Sequence, residues 1–158
     1  MELHPIAPVY DGNSRILILG SFPSVQSRAG GFYYHHPQNR FWPLLSRLLG
    51  EPLPQSIAEK KAMLLGHGIA LWDVIASCTV TGSQDSSIRD VTPNDIPRLL
   101  QQTNIQRIYC NGATAYRYYT RYLQHQTLFP AQKLPSTSPA NAAWPMERLM
   151  EEWRCILD

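Results

Sequence analysis

The chain has 158 residues, of which 44% are apolar and 16% are charged, which is the profile of a folded globular protein. This length favours one domain spanning residues 1–158 with one hydrophobic core. The net charge of +2 permits a nucleic-acid partner without requiring one, so any phosphate binding must depend on local groups.

Targeting signals and cysteine usage indicate the cellular compartment of the protein and the redox state of its thiols. No apolar run is long enough to span a bilayer, and residues 1–5 lack the basic and apolar regions of a signal peptide. We therefore expect a cytoplasmic, nucleoid-associated protein with no membrane partner. Cys78, Cys110 and Cys155 are far apart and odd in number, which favours reduced thiols over a disulfide framework or a zinc or iron–sulfur cluster.

Four short apolar runs predict the strands of a parallel sheet. Residues 15–19 (RILIL) form a continuous run that ends at Gly20, as expected of a strand buried on both faces. Residues 69–75 and 105–110 have the same character, and residues 131–134 form a weaker fourth candidate.

Helix signals lie between these runs. Ser56 and Glu59 form a capping box ahead of an apolar segment, and Thr92 followed by Pro93 predicts another helix start. Apolar residues within 146–157 recur at helical spacing. Strands that alternate with helices predict an α/β fold whose sheet is covered on both faces, with ligands bound at the carboxyl ends of the strands.

The segment after the first predicted strand is long and rich in glycine, serine and aromatic residues. It includes the block HHPQNRFWP at residues 35–43. Taken singly, each residue is best explained as surface loop, with Asn39 capping a helix that carries Phe41 and Trp42. The dense mixture of aromatic, histidine and asparagine side chains at a strand end predicts a functional loop for the segment as a whole.

Residues 20–42 resemble the first motif of the uracil-DNA glycosylase superfamily. The resemblance is closest to the hypoxanthine-DNA (deoxyinosine) glycosylases and the mismatch-specific uracil/thymine glycosylases, and HPQNRFW at residues 36–42 is its most specific part. Residues 111–115 (NGATA) are similar to the superfamily's Gly-x-x-Ala strand end. Residues 134–141 (LPSTSPAN) are similar to its second motif, a loop that enters the minor groove.

This resemblance implies both a fold and an activity. The fold is a single-domain three-layer α/β/α sandwich with a central four-stranded parallel sheet. The activity is that of a monofunctional DNA glycosylase of base-excision repair, which flips a deaminated base, chiefly hypoxanthine, out of double-stranded DNA and hydrolyses its N-glycosidic bond. We expect a monomer that needs no cofactor and no metal.

Candidate base-binding residues follow from the same resemblance. Tyr34 matches the aromatic residue on which the flipped base stacks, with Tyr33 as a competitor and core packing as the alternative for both. Phe22 stands where many relatives carry an Asp or Asn that orients water, so it packs either beside the base or in the core. Backbone amides of the turn that begins at Ser21 could donate to a purine carbonyl. Asn111 either reads a hypoxanthine edge or merely ends a strand.

Candidate catalytic residues are fewer, because Phe22 cannot orient water. Asn39 is expected to orient water or to contact the base, which is compatible with helix capping only if its side chain is not fully committed to the cap. Ser136 stands where relatives place His or Asn near the leaving base. Asp73, at the end of the second predicted strand, is a reserve candidate for water activation, or else a capping carboxylate.

The second motif predicts the DNA contacts. Ser138 is expected to hold a phosphate, while Pro139 and Ala140 press on the duplex from the minor groove. Further phosphate contacts, or else solvated surface charges, are expected at four arginines: Arg28, Arg40, Arg117 and Arg121. The adjacent His35 and His36 do not predict a metal site, because no acid or cysteine lies at ligand spacing.

Three other functions remain open on the sequence alone. One is a uracil or mismatch-specific glycosylase, and another is a module that binds damaged bases without cleaving, which the loss of the acid at Phe22 makes conceivable. The third is an α/β hydrolase for a small molecule, which is disfavoured because the signature Gly-x-Ser-x-Gly is absent.

Overall fold

The computed structural model describes residues 2–79 and 88–158. The strands in these two segments are β1 (Glu2–Leu3), β2 (Ile16–Gly20), β3 (Ile69–Asp73), β4 (Ile75–Thr79), β5 (Arg89–Pro93), β6 (Arg107–Asn111) and β7 (Ala131–Leu134). The α-helices are α1 (Val25–Gly30), α2 (Phe41–Leu49), α3 (Ile57–Gly66), α4 (Ile96–Gln101), α5 (Ala113–Tyr122), α6 (Gln124–Thr127) and α7 (Met146–Trp153), and two short 3-10 helices cover Pro139–Asn141 and Arg154–Leu157.

The central sheet consists of four parallel strands in the order β3-β2-β6-β7, as the sequence predicts. Strand β2 lies inside the sheet and is buried along its whole length. Gly20 at its end is opposite Asp73 of β3, and Asn111 of β6 is opposite Leu134 of β7. The residues that follow these four positions therefore meet at one edge of the sheet.

The side chains of β2 alternate between two hydrophobic cores, one on each face of the sheet. Ile16 and Ile18 belong to the core shared with helices α2, α3 and α7, whereas Leu17 and Leu19 belong to the core shared with α4 and α5. Each core is built on one face of a pleated sheet, so the predicted three-layer α/β/α arrangement is confirmed.

The apolar run at residues 69–75 is not one strand, contrary to the prediction. It breaks at Val74, whose N–H donates to the carbonyl of Gly20 at 2.8 Å, and continues as β4. Strand β4 then pairs antiparallel with β1 and β5 to form a second, smaller sheet. Continuous apolar character conceals this break, because both strands bury side chains on either side of it.

The predicted helix start at Thr92 and Pro93 is also wrong, since both residues belong to β5. Helix α4 begins instead at Ile96, where Asp95 Oδ1 accepts a hydrogen bond from the N–H of Arg98 at 3.2 Å. Capping of α3 by Ser56 is confirmed, because Ser56 Oγ accepts from the N–H of Glu59 at 3.1 Å. The second half of the predicted capping box is shifted by one residue, because the Glu59 carboxylate accepts from the N–H of Gln55 at 2.9 Å.

The N-terminal segment runs along the edge of the central sheet. Strand β1 pairs with β4, and the N–H of His4 donates to the carbonyl of Ala76 at 2.7 Å. A further antiparallel bridge joins Val9 to Leu71 of β3. These contacts fix the side chain of His4 beside the end of β3. No helix in the described part of the chain is long and apolar enough to cross a bilayer.

Candidate active site

A cavity of about 560 Å³ lies at the carboxyl edge of the central sheet, within the range of about 300–1,000 Å³ typical of ligand sites. Its wall is formed by the turn after β2, the loop between α1 and α2, the ends of β3 and β6, and the loop after β7. The lining includes nine side chains singled out in the sequence as site residues: Ser21, Phe22, Tyr34, Asn39, Asn111, Ser136, Ser138, Pro139 and Ala140. The structure thus brings together residues from three separate motifs.

Asn39 lies at the start of α2 and uses only part of its side chain for capping. Its Oδ1 accepts from the N–H of Phe41 at 2.9 Å and from the hydroxyl of Thr137 at 2.8 Å. The two donors fix the orientation of the amide, because a backbone N–H requires the oxygen on its side. The amino group Nδ2 makes no hydrogen bond within residues 2–79 and 88–158. Capping and a role in the cavity are therefore compatible, since they use different atoms.

Thr137 connects Asn39 to Asn111 through a buried hydrogen-bond network. Thr137 is 0% exposed, and its N–H donates to Asn111 Oδ1 at 3.0 Å while its Oγ1 accepts from Asn111 Nδ2 at 3.0 Å. The Thr137 hydroxyl proton is then available for Asn39 Oδ1. This network occupies both lone pairs of Asn39 Oδ1, so Asn39 can offer only an N–H donor to a ligand, whereas Asn111 Oδ1 accepts one hydrogen bond and keeps a second lone pair.

Sequence reasoning overlooked Thr137 in favour of its neighbours Ser136 and Ser138. The available signal was its position in the middle of the LPSTSPAN segment, between two candidates that already pointed to the site. Because side chains alternate in direction along an extended segment, a residue flanked by two cavity-facing serines is expected to turn inward.

Tyr34 combines a stacked ring with an unusual backbone conformation. Its ring stacks on Phe41 with centroids 4.2 Å apart and an interplanar angle of 29°. Its φ of 54° lies in the left-handed region, which costs a bulky residue about 1–2 kcal/mol and is typical of strained functional sites. Burial, assisted by the charge of Asp73, raises the pKa of the Tyr34 phenol well above its ordinary value, so the ring stays neutral.

Tyr33 also lines the cavity, but its polar groups form hydrogen bonds with other parts of the protein and not with the cavity. Its hydroxyl donates to the carbonyl of Ala7 at 2.9 Å, and its own carbonyl accepts from Trp42 Nε1 at 3.0 Å. Tyr33 is almost completely buried. Of the two neighbouring tyrosines, Tyr34 is therefore the better placed to offer a ring face to a ligand.

Phe22 lines the cavity, and no acid stands at this position of the first motif. Its ring meets the His4 ring edge-on with centroids 6.0 Å apart, and the Arg28 guanidinium lies 5.4 Å from its centroid. The neighbouring Ser21 is held by its carbonyl, which accepts from the N–H of Ile75 at 3.0 Å.

Asp73 lines the cavity, is 3% exposed and forms a buried pair with His4. The His4 Nε2 and Asp73 Oδ2 atoms are 2.8 Å apart. A Cβ atom added to Gly20 would lie less than 3.0 Å from both Asp73 Oδ1 and Tyr34 Oη. Glycine is therefore required at the end of β2 for this close approach. No motif in the sequence points to His4.

The loop after β7 is held against the sheet by its own polar groups. Ser136 Oγ accepts from the N–H of Ser138 at 3.0 Å, and Ser138 Oγ accepts from the N–H of Ala140 at 3.1 Å, capping the 3-10 helix Pro139–Asn141. Gly112, with a φ of 99°, allows Ser136 to pack closely against the end of β6. Ala140 is exposed on this loop.

The candidate arginines do not line the cavity. The Arg40 guanidinium donates to the carbonyls of Trp144 and of Asn141, the latter at 2.9 Å, and so holds the loop after β7. Arg28 pairs with Glu2 at 2.8 Å. The remaining two lie over aromatic rings of α5, Arg117 over Tyr118 and Arg121 over Tyr122.

The cysteines are unpaired, and their pKa values are shifted away from reactivity. Burial raises the pKa of Cys110 to about 12 and also raises the pKa values of Cys78 and Cys155. A thiol with a raised pKa is a poor nucleophile at neutral pH. The chemistry of the cavity therefore belongs to its amides, hydroxyls, aromatic rings, one carboxylate and the His36 imidazole.

Comparison with known proteins gives one family for nearly the whole chain. Residues 7–158 match the model of the uracil DNA glycosylase superfamily. The chain is 39% identical over 150 residues to the hypoxanthine DNA glycosylase of Methanosarcina acetivorans, covering 94% of this chain and 93% of that protein. It is 36% identical over 121 residues to the hypoxanthine DNA glycosylase of Methanosarcina barkeri, covering 75% of this chain and 76% of that protein.

A solved structure supports the same assignment. The fold is similar to the solution NMR structure of a candidate uracil DNA glycosylase from Methanosarcina acetivorans, with a TM-score of 0.83 and 34% sequence identity. The match covers 96% of this chain and 94% of the other.

Proposed function

The chain belongs to the uracil DNA glycosylase superfamily and is a DNA glycosylase, and from this premise we propose that it excises hypoxanthine from deoxyinosine in double-stranded DNA. It would act as a monomer without a metal ion, in the cytoplasm at the nucleoid. The relatives named hypoxanthine DNA glycosylase support this substrate. The single observation that carries the proposal is the amino group of Asn39, which makes no hydrogen bond within the described residues, in a cavity that also holds the Tyr34 ring.

Binding begins when the target nucleotide leaves the base stack and its base enters the cavity. The base stacks on the face of the Tyr34 ring opposite Phe41, with Phe22 beside it. Stacking holds any base face and discriminates little, so discrimination must come from polar groups. The backbone amides of the turn at Ser21 and the free N–H of Asn111 are the donors available to a purine carbonyl.

Bond cleavage builds positive charge on the sugar and negative charge on the departing base. Water attacks the sugar C1′, the C1′–N9 bond breaks with its electron pair leaving on the base, the water loses a proton as it becomes the sugar hydroxyl, and the released base takes up a proton from solvent. Asn39 Nδ2 donates to the departing base, and the Ser136 hydroxyl, whose oxygen already accepts from Ser138, donates its proton in the same region. Fixed donors stabilise the leaving group without reorganisation, which offsets the missing acid at Phe22.

DNA is held outside the cavity by the loop after β7. Ser138 contacts a phosphate, while Pro139 and the exposed Ala140 enter the minor groove beside the flipped nucleotide. Arg40 supports this contact because it holds the carbonyls of the same loop.

The proposal is tested with labelled duplexes that contain a single inosine, uracil, xanthine or thymine mismatch. After incubation, alkali converts abasic sites to strand breaks, and chromatography identifies the released base. We expect breaks at inosine with release of hypoxanthine. Breaks at uracil alone would show that the chain is a uracil glycosylase and would overturn the purine assignment.

Asn39→Ala provides the variant for this assay, with Asn104→Ala as its matched control. Asn104 is exposed, and its amide donates to the carbonyl of Gly12 away from the cavity. Loss of one preorganised donor to a developing negative charge costs about 10²–10³ in rate. We expect such a loss for Asn39→Ala and none for Asn104→Ala, and equal rates for the two variants would contradict the role of Asn39.

A further inference from the structure

Helix α5 presents a row of exposed side chains that begins at the mouth of the cavity. Ala113 is exposed and lines the cavity together with Thr114, so it lies at the mouth. Arg117 and Arg121 follow Ala113 at intervals of four residues, and both are exposed. Since residues four apart lie on the same face of a helix, these side chains form one line along α5. The mechanism above uses no residue of this helix.

The length of the row matches a short stretch of duplex. A helix rises about 1.5 Å per residue, which places Arg117 about 6 Å and Arg121 about 12 Å along the axis from Ala113. Each strand of a duplex carries one phosphate per about 3.4 Å of its axis. The flipped nucleotide stays joined to its strand, so the duplex must pass over the mouth. A row of this length spans the phosphates of about three to four base pairs.

Positive charge is concentrated around this row. All 12 acidic residues of the chain lie outside residues 96–146, the segment that contains α5 and β7. Lys133 of β7 adds a third exposed cation beside α5, because its Nζ lies 6.0 Å from the centroid of the Tyr116 ring. We call Arg117, Arg121 and Lys133 the cationic face. None of the three forms a salt bridge with an acid in residues 2–79 or 88–158. A local excess of positive charge of this kind is typical of a nucleic-acid-binding surface.

Tyrosine rings support both arginines of the cationic face. The Arg117 guanidinium lies 5.1 Å from the centroid of the Tyr118 ring, and that of Arg121 lies 5.3 Å from the centroid of the Tyr122 ring. The two rings stack with centroids 6.0 Å apart and an interplanar angle of 13°. A guanidinium that stacks on a ring keeps the N–H groups at its edge for phosphate oxygens. Because the rings already restrict these side chains, less conformational freedom is lost when a phosphate binds.

An acidic protein segment would also complement this charge, but the position of the row favours DNA. The row starts at Ala113, at the opening through which the flipped nucleotide enters. A protein docked along the whole row would cover this opening and compete with the substrate. A duplex bound along it would instead be held where the reaction needs it.

We propose that the cationic face binds phosphates of the duplex on one side of the flipped nucleotide, up to about three to four base pairs away. Contacts to phosphates carry no base sequence, so the same face also holds undamaged DNA. Together with the loop after β7, it gives a DNA footprint that extends further on one side of the lesion than on the other. The proposal requires a DNA glycosylase but does not depend on which base is excised.

A double variant and a charge-matched control separate this face from net charge. Arg117→Gln with Arg121→Gln removes two charges and keeps residues that favour a helix. Arg47→Gln with Arg154→Gln removes the same charge from two other exposed positions. Arg47 is in the last turn of α2, whose first turn lies at the cavity. Arg154 belongs to a 3-10 helix at the start of β6, where Arg107 donates to the carbonyl of Cys155 at 3.1 Å, so it lies at the opposite edge of the sheet.

The first measurement is the binding of an undamaged fluorescent duplex at a series of KCl concentrations. Each phosphate contact contributes about 0.9 to the slope of log K against log salt. We expect the slope of the Arg117→Gln, Arg121→Gln variant to be smaller by about two, with affinity at least about tenfold lower at about 0.1 M salt. The control should keep the wild-type slope, and Arg117→Lys with Arg121→Lys, which keeps both charges, should keep most of it. A slope for the Gln variant equal to that of the control would overturn the proposal and favour an acidic protein partner.

The second measurement uses position and needs no variant to fold. Two duplexes carry the base that the wild type excises, placed about two base pairs from one end or from the other. We expect a lower KM for the duplex that retains the contacted phosphates, and the Arg117→Gln, Arg121→Gln variant should lose most of this difference. Equal KM values for the wild type would overturn the one-sided contact. If the wild type excises uracil and not hypoxanthine, the proposed function fails, yet both measurements still test the cationic face.

Discussion

Thr137 Oγ1 lies 2.8 Å from Asn39 Oδ1 and joins two loops that are 98 residues apart in the sequence. One loop follows β7 and the other precedes α2. The Thr137 hydroxyl oxygen accepts a hydrogen bond from Asn111 Nδ2, so its own proton is available to donate to Asn39 Oδ1. This buried hydroxyl therefore links the two amides, whose orientations are also fixed by the backbone N–H groups of Phe41 and Thr137.

Replacement of Thr137 by Val tests this dependence, because Val keeps the volume and removes the hydroxyl. Asn111 Nδ2 would then lack its acceptor, which lowers the free energy of unfolding by about 1–3 kcal/mol. We expect kcat on inosine DNA to fall with little change in KM, because Asn39 loses orientation but the base still stacks. Single-turnover rates and urea unfolding measure the two effects. Thr137→Ser should recover most of both, and a Val variant at the wild-type rate would contradict the network.

The oxygen and the nitrogen of the Asn39 amide have different roles, and this difference gives a second prediction. Asn39→Asp keeps an oxygen for the N–H of Phe41 and the hydroxyl of Thr137, so stability should remain within about 0.5 kcal/mol of the wild type. The second carboxylate oxygen replaces the donor Nδ2, so activity on inosine should fall by about 10²-fold or more. Thermal unfolding and single-turnover assays check this contrast. An Asp variant with full activity would show that Asn39 works through its oxygen.

Much of the architecture was predictable because it depends on local pattern. The continuous apolar run that ends at Gly20 identifies a strand buried on both faces, and the alternation of strands and helices identifies the sheet edge where the site lies. The second antiparallel sheet was not predictable in this way. Its strands β4 and β5 are as long as β2, β3 and β6 but partly polar, and their pairing depends on contacts distant in sequence.

The residues that line the site were easier to predict from the sequence than the hydrogen bonds between them. Sequence alone left Asn39 between capping and a role in the cavity, and only coordinates could divide these roles between its two amide atoms. His4 and Thr137 were missed because their partners, Asp73 and Asn39, lie 69 and 98 residues away. Local pattern carries no information about such pairs.

The two neighbouring tyrosines of the cavity should respond oppositely to loss of the hydroxyl. Tyr33→Phe removes the bond to the carbonyl of Ala7 and should cost about 1 kcal/mol. The Tyr34 hydroxyl is buried and makes no hydrogen bond of normal geometry in the described segments, although the nearby Asn111 side chain offsets part of the rise in its pKa, so Tyr34→Phe should leave stability unchanged or raise it. The stacked ring remains, and activity should stay near the wild-type value. Urea unfolding separates the variants, and a loss of stability in Tyr34→Phe would indicate a hydrogen bond in solution.

The same tyrosines predict how stability depends on alkaline pH. Burial, with the charge of Asp73, raises the pKa values of both phenols, so the folded state retains protons that the unfolded state releases. Their contribution is complete below the ordinary tyrosine value of about 10 and declines as the pH rises above it. The free energy of unfolding, measured between about pH 8 and pH 11 to bracket the ordinary tyrosine pKa of about 10, should show this decline. The double variant Tyr33→Phe, Tyr34→Phe should show a shallower one, and identical slopes would contradict the assignment.

Gly20→Ala should damage the cavity more than any exposed glycine substitution does. Its Cβ would come within 3.0 Å of Asp73 Oδ1 and Tyr34 Oη, and neither atom can move freely, because His4 anchors the carboxylate and Phe41 supports the ring. We expect lower thermal stability and a loss of about 10²-fold or more in kcat/KM, since displaced groups no longer match the base. Gly66→Ala is the control, because a Cβ at the end of α3 meets nothing within 4 Å and alanine favours the helix. A Gly20→Ala variant as active as Gly66→Ala would show that the floor of the cavity does not contact the base.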